Sequence, residues 1–134
     1  MNIELTTKQF RRLLDMVYIG NWVLNSARGE DRIPDFDEVE SIIFSNCEKV
    51  GMEALVGKVA GVSVPSKAFA DGGIHEAIMD DEDAVFFGIL AEELTHRDLS
   101  AVGDANDREE FEAKAKEYLE EFRENGLSNV NVDV

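Results

Sequence analysis

Between Ala68 and His96 the chain carries no Lys or Arg, yet it holds eight carboxylates and both histidines, His75 and His96. This is where the residue types for metal, proton or cation chemistry concentrate. Within it, Glu93 and His96 stand three apart, and Glu92 stands four before His96, so on a helix all three share a face. Carboxylate-bridged di-metal bundles use a Glu and a His at this spacing, twice over, with two further glutamates; here the pair occurs once. The alternative is a solvated face on which His96 pairs locally with its two glutamates. His75-Glu76 begins like a zinc-binding HExxH, but Met79 occupies the second histidine position, so that motif is absent. A divalent metal or an acid–base centre from these parts needs His75, Glu76, Glu92, Glu93 and His96 to converge.

The run Asp80-Asp81-Glu82-Asp83 lacks the alternation and central glycine of a calcium loop. Acids are favoured at a helix N-terminus by the macrodipole, which predicts a helix starting here. Arg97 falls near the inward line of that helix and wants a carboxylate partner, with Glu93 four residues back and Asp98 next to it. Cys47 is expected in the core of a second helix, with no histidine beside it to activate a thiolate. Phosphate-binding glycine loops, paired-cysteine metal motifs and the GxSxG nucleophile elbow are all absent from the sequence.

The elements that position these residues follow from periodicity and capping. Thr6 and Gln9 form a capping box, with Leu5 and Phe10 as its staple, predicting a helix over Thr7–Ala27. Residues Met16 to Leu24 are apolar on several sides, which places that helix centrally in a core. Gly20 then allows close approach of a neighbour. Asn21 and Asn25, four apart, form a polar patch or satisfy nearby backbone. Pro34 starts a second helix whose inward face is Phe36, Val39, Ile42, Ile43 and Val50. Val62–Val64 is a short extended piece, Asp71-Gly72-Gly73 a turn, and Ile74–Met79 a short helix. A helix over Ala84–Ala101 closes near Gly103, and a last one runs Arg108–Asn125, capped by Asp107 with Glu110 and stopped by Gly126. Met1–Leu5 and Asn129–Val134 alternate as strands and are expected to pair. The fold class is therefore mainly α: a bundle-like single domain of four to five helices over residues 1–134, with a small sheet from the terminal strands.

The chain has 134 residues, a formal charge of −16, 44% hydrophobic residues and eight Phe. That suits one folded domain. The excess charge belongs to the second half: ten acids against eight bases in residues 1–67, nineteen against five in residues 68–134. Such a surface repels phosphate backbones and anionic lipids, so direct nucleic-acid and membrane binding are disfavoured. A basic protein partner or a divalent ion is favoured, and self-association is left open. Mimicry of nucleic acid is a third class. The last helix argues against it, because Lys114 and Lys116 stand four after Glu110 and Glu112 and offset them. One cysteine, no signal-peptide pattern and no long apolar run make a cytoplasmic protein the expectation. With no competent catalytic constellation, the expected function is that of a small acidic interaction or adaptor protein without catalysis and without a cofactor.

Overall fold

The computed structural model describes residues 1–102 and 107–134, and these form two compact units, Met1–Ile78 and Met79–Val134. The chain is mainly helical with one small antiparallel sheet. Helix α1 (Thr7–Asn25) begins as its cap dictates. The Gln9 backbone N–H donates to the Thr6 hydroxyl at 3.2 Å, and the Thr6 N–H donates to the Gln9 side-chain oxygen at 2.9 Å.

The inward face of α1 differs from its expected one. Phe10, Leu14, Asn21 and Asn25 are buried, whereas Met16 and Val23 are 69% and 72% exposed. The helix is therefore not central in a core, and nothing lies within 4 Å of where a Gly20 Cβ would stand, so no neighbour exploits that glycine. Two amides hold this orientation. Asn25 acts as a local backbone surrogate: its Nδ2 donates to the Ile33 carbonyl at 2.9 Å and its Oδ1 accepts the Ile33 N–H at 2.8 Å. The same Nδ2 donates to Asn21 Oδ1 at 2.8 Å. Satisfied in this way, two buried polar side chains do not carry the cost of unpaired ones.

Helix α2 (Pro34–Phe44) starts at Pro34 with Ile33 at the cap position. Its expected inward stripe is also displaced. Phe44 is fully buried, while Phe36, Val39 and Ile42 are exposed and only Ile43 of that stripe packs on the core. The face that carries Phe44 carries Glu40 and Asp37 one and two turns earlier. Phe10, Leu14, Phe44, Cys47 and Phe69 make the core of this unit. Phe69 meets Phe44 and Tyr18 edge-on at 5.0 and 5.1 Å, the arrangement aromatic quadrupoles favour. Cys47 sits in a 3-10 turn (Cys47–Val50) after α2, not within the helix, and is fully buried.

Strands β1 (Val56–Val59) and β2 (Val62–Pro65) form a hairpin in the register Val56–Pro65 to Val59–Val62. Its two loop residues, Ala60 and Gly61, both have positive φ (50° and 80°), as a type I′ turn requires. This hairpin is the sheet, and the termini do not supply it: residues 1–5 and 130–134 are in no strand. Met1, Ile3 and Leu5 instead line an apolar groove with Phe10, Leu13, Ile42 and Ile43. After β2, Ser66 caps the single turn α3 (Lys67–Phe69), accepting the Phe69 N–H at 3.2 Å and donating to the Ala54 carbonyl at 2.6 Å.

A wide turn, Ala70–Ile74, then bends at Gly72-Gly73, where Gly73 has φ 98°. Helix α4 (His75–Val102) follows without interruption. The acidic run Asp80–Asp83 thus lies inside a helix rather than at its start, and all four side chains are exposed. The helix is nucleated upstream by the glycine bend, so the separate Ile74–Met79 and Ala84–Ala101 helices are one. The expected closure near Gly103 lies outside the described residues. In the second unit, α5 (Arg108–Asn125) matches its expected bounds. Asp107 accepts the N–H groups of Glu109 and Glu110, and the Gly126 N–H returns to the Phe122 carbonyl. Phe122 is buried against Phe87, with ring centres 5.5 Å apart. The surface pairs run opposite to expectation: Arg108 to Glu112, Lys114 to Glu117 and Lys116 to Glu120.

Candidate functional site

The structure assembles polar chemistry in the first unit, around α1, α2, the end of β2 and the start of α4. A recess of about 380 Å³ is lined by Tyr18, Asn21, Trp22, Ser26, Arg32, Glu40, Pro65 and Ala70. Tyr18 and Trp22 lie four apart on α1 and stack with ring centres 6.2 Å apart. The glycine bend brings His75, the first residue of α4, onto both. Its ring centre is 4.7 Å from that of Trp22, and its Nε2 shares a 2.6 Å hydrogen bond with the Tyr18 hydroxyl. The Trp22 indole N–H is buried and has no hydrogen-bond partner among the described residues.

Charges enter from α2 and the loop before it. Arg32 donates from Nε and a terminal nitrogen to the two Asp37 oxygens, each at 2.6 Å, the bidentate geometry that suits guanidinium and carboxylate. Asn21 donates to Asp37 Oδ1 at 2.9 Å. The Arg32 guanidinium, aided by Asn21, holds the Asp37 carboxyl below the usual carboxylate range. Glu40 behaves oppositely. Burial pushes its pKa up and the neighbouring Asp37 charge adds to the rise, against hydrogen bonding from Asn21 and attraction from Arg32. Burial, and then the Glu40 charge, also push the Tyr18 phenol up. Among the described residues Glu40 makes no ion pair.

The residues singled out by sequence are distributed differently. His75 packs on Tyr18 and Trp22 of the recess without lining it, and Glu76 is exposed beside it. In the second unit Glu92, Glu93 and His96 are exposed on α4, while Ala91, Thr95 and Leu99 are its buried residues there. No hydrogen bond or ion pair joins His96 to either glutamate among the described residues; its ring lies 4.6 Å from that of Phe111. No group of three or more His, Cys, Asp and Glu is arranged to hold a metal among the described residues. Arg97 is exposed, not inward, and of its two candidate partners pairs with Asp98. Asp98 also accepts the Tyr118 hydroxyl, and these two donors hold its carboxyl below the usual range. Burial pushes the Cys47 thiol up, against attraction from Arg11, which suits packing rather than nucleophilic attack.

In the sequence Tyr18 and Trp22 fall within the apolar stretch Met16 to Leu24, and Arg32, Asp37 and Glu40 were not singled out. A signal was present: two asparagines alternating with two aromatics on one helix, and two carboxylates three apart on the next. No helix among the described residues is long and apolar enough to cross a membrane. A scan against protein-family models, a search of curated proteins and a search of solved structures each find no match to this chain.

Proposed function

We propose that this is a non-enzymatic recognition protein, acidic and cytoplasmic, that docks a basic protein partner on its first unit. The observation that carries this reading is the apolar groove of about 560 Å³ between the N-terminal segment, α1 and α2. Ile3 is 72% exposed there and Ile42 54%, and Phe36 and Val39 extend the apolar face along α2. A contiguous apolar surface on a soluble protein usually marks an interaction site, and a groove between helices suits an amphipathic partner segment. Asp35 and Glu38, exposed on the same helix, favour a basic partner by complementarity.

Affinity capture with the full chain and with Ile42→Lys tests it. The expected result is a basic protein retained by the parent, lost with the variant, and released when salt rises from about 0.1 to 0.5 M. Equal capture by the two proteins, or capture indifferent to salt, rejects the reading, as does measured turnover of any substrate.

A second reading, an acid–base or metal-dependent centre at His75, is favoured by one observation, its short hydrogen bond to Tyr18. Thermal shift with millimolar Zn²⁺, Mn²⁺, Mg²⁺ and Ca²⁺ tests the metal form, with a rise lost in His75→Gln as the expected result. No rise with any of the four ions ends that form.

A further inference from the structure

The polar recess of the first unit has a charge imbalance that the fold itself does not use. Asp37 and Glu40 share a face of α2, and one guanidinium, Arg32, serves them. Both short Arg32 hydrogen bonds to carboxylate go to Asp37. The Asn21 amide donates to Asp37 at 2.9 Å and is shared with Glu40, and the Tyr18 hydroxyl shares its hydrogen bond with His75. Glu40 is left as a half-buried carboxylate at the edge of an aromatic-lined recess, with no ion pair among the described residues. A partly desolvated anion gains most from a cation that enters beside it. Aromatic side chains add attraction for the same class of ligand. Anions meet the Glu40 charge, which Arg32 offsets only through space, and neutral ligands draw nothing from it. The volume, about 380 Å³, lies near the lower end for small-ligand pockets, enough for one long side chain.

We propose that this recess receives one ammonium or guanidinium group, the head of a Lys or Arg side chain, with Glu40 as its counter-ion and Tyr18 and Trp22 as its walls. The side-chain source rests on the function proposed above; the cation chemistry does not. The protein's negative field raises the local concentration of such groups and speeds their encounter.

Trp22 is the only tryptophan, so its fluorescence reports on the recess directly. The full chain is titrated with N-acetyl-arginine amide, N-acetyl-lysine amide, a Gly-Arg-Gly amide peptide, free agmatine, and the neutral isostere N-acetyl-citrulline amide. A saturable change with the charged side-chain probes and the peptide, absent with citrulline, is expected. Glu40→Gln is expected to weaken it about tenfold or more, Glu40→Asp to restore part of it, and Ile42→Lys in the separate groove to leave it intact. Circular dichroism of Glu40→Gln establishes that the variant is folded.

An equal response to citrulline overturns the proposal. So does an unchanged Glu40→Gln titration, or the absence of saturation up to about 50 mM. Binding of agmatine with none of the peptide overturns the side-chain assignment. Partner capture that survives Glu40→Gln in a protein whose cation response is also unchanged removes the recess and leaves the proposed function standing. Glu40-dependent cation binding without any captured partner does the reverse.

Discussion

The same two helices, α1 and α2, build two recesses of opposite chemistry. One is lined by Tyr18, Asn21, Trp22, Arg32 and Glu40, the other by Phe10, Leu13, Ile42, Ile43 and the N-terminal segment. In the first, position is enforced by directional bonds: amide to amide, amide to backbone, guanidinium to carboxylate. In the second, apolar surface is held open by packing that continues into the core at Phe10 and Ile43. Directional bonding tolerates little change in residue type, whereas apolar contact tolerates much. Substitutions in the polar recess should therefore be costly or sharply pH-dependent, and substitutions in the groove mild for folding.

Phe44→Ala removes a fully buried ring on which the core of the unit rests, and is expected to cost about 3–5 kcal/mol. Chemical denaturation followed by Trp22 fluorescence measures it in the unit that contains both recesses; a cost below 1.5 kcal/mol, about half the low end of that range, would show that the two share no core.

Asn25→Ala is next. It strands the Ile33 N–H and carbonyl and frees Asn21, for an expected loss of about 1–3 kcal/mol by the same assay. A neutral outcome would mean that water replaces the amide, and that the polar recess is no more demanding than the groove.

Glu40→Gln acts through pH. Because the folded-state pKa of Glu40 is raised, the native protein holds that proton more tightly than the unfolded chain does. The contribution is fully present below the ordinary glutamate range, about pH 4, and is lost as pH rises through the folded value. The variant is expected to melt above the parent at pH 7, with the gap closing towards pH 4. A gap that widens on acidification contradicts this sign. Ile42→Ser, at a half-exposed position in the groove, is expected to change stability by about 0.5 kcal/mol or less, and a larger loss would reclassify the groove wall as core.

What could be read from sequence was what local signals decide. The Thr6–Gln9 box sets the start of α1, and Asp107 and Gly126 set the ends of α5, because capping is settled within a few residues. The faces of α1 and α2 were not legible. On α2 the stripe of Phe36, Val39 and Ile42 competes with that of Asp37, Glu40 and Phe44. The second wins because Phe44 fills the core, and because Arg32 and, from the preceding helix, Asn21 satisfy the Asp37 carboxylate. The strand pattern of residues 129–134 failed for a related reason: alternation specifies a face but supplies no partner, and Met1, Ile3 and Leu5 are engaged in the groove. Of the candidate site, His75 was legible as a residue but not through its partners. Tyr18 and Trp22 stand more than fifty positions before it, and only the bend at Gly72-Gly73 joins them.

That bend also decides the fate of the acidic run. Because α4 begins at His75, the four carboxylates of Asp80–Asp83 repel one another within consecutive turns of an unbroken helix, beyond the first turn where the dipole would favour them. No Lys or Arg follows within reach before Arg97. The middle of α4 is thus expected to tighten with counter-ions: its backbone amides should gain protection as ionic strength rises, more than those of the capped α5, whose bases pair with Glu112, Glu117 and Glu120.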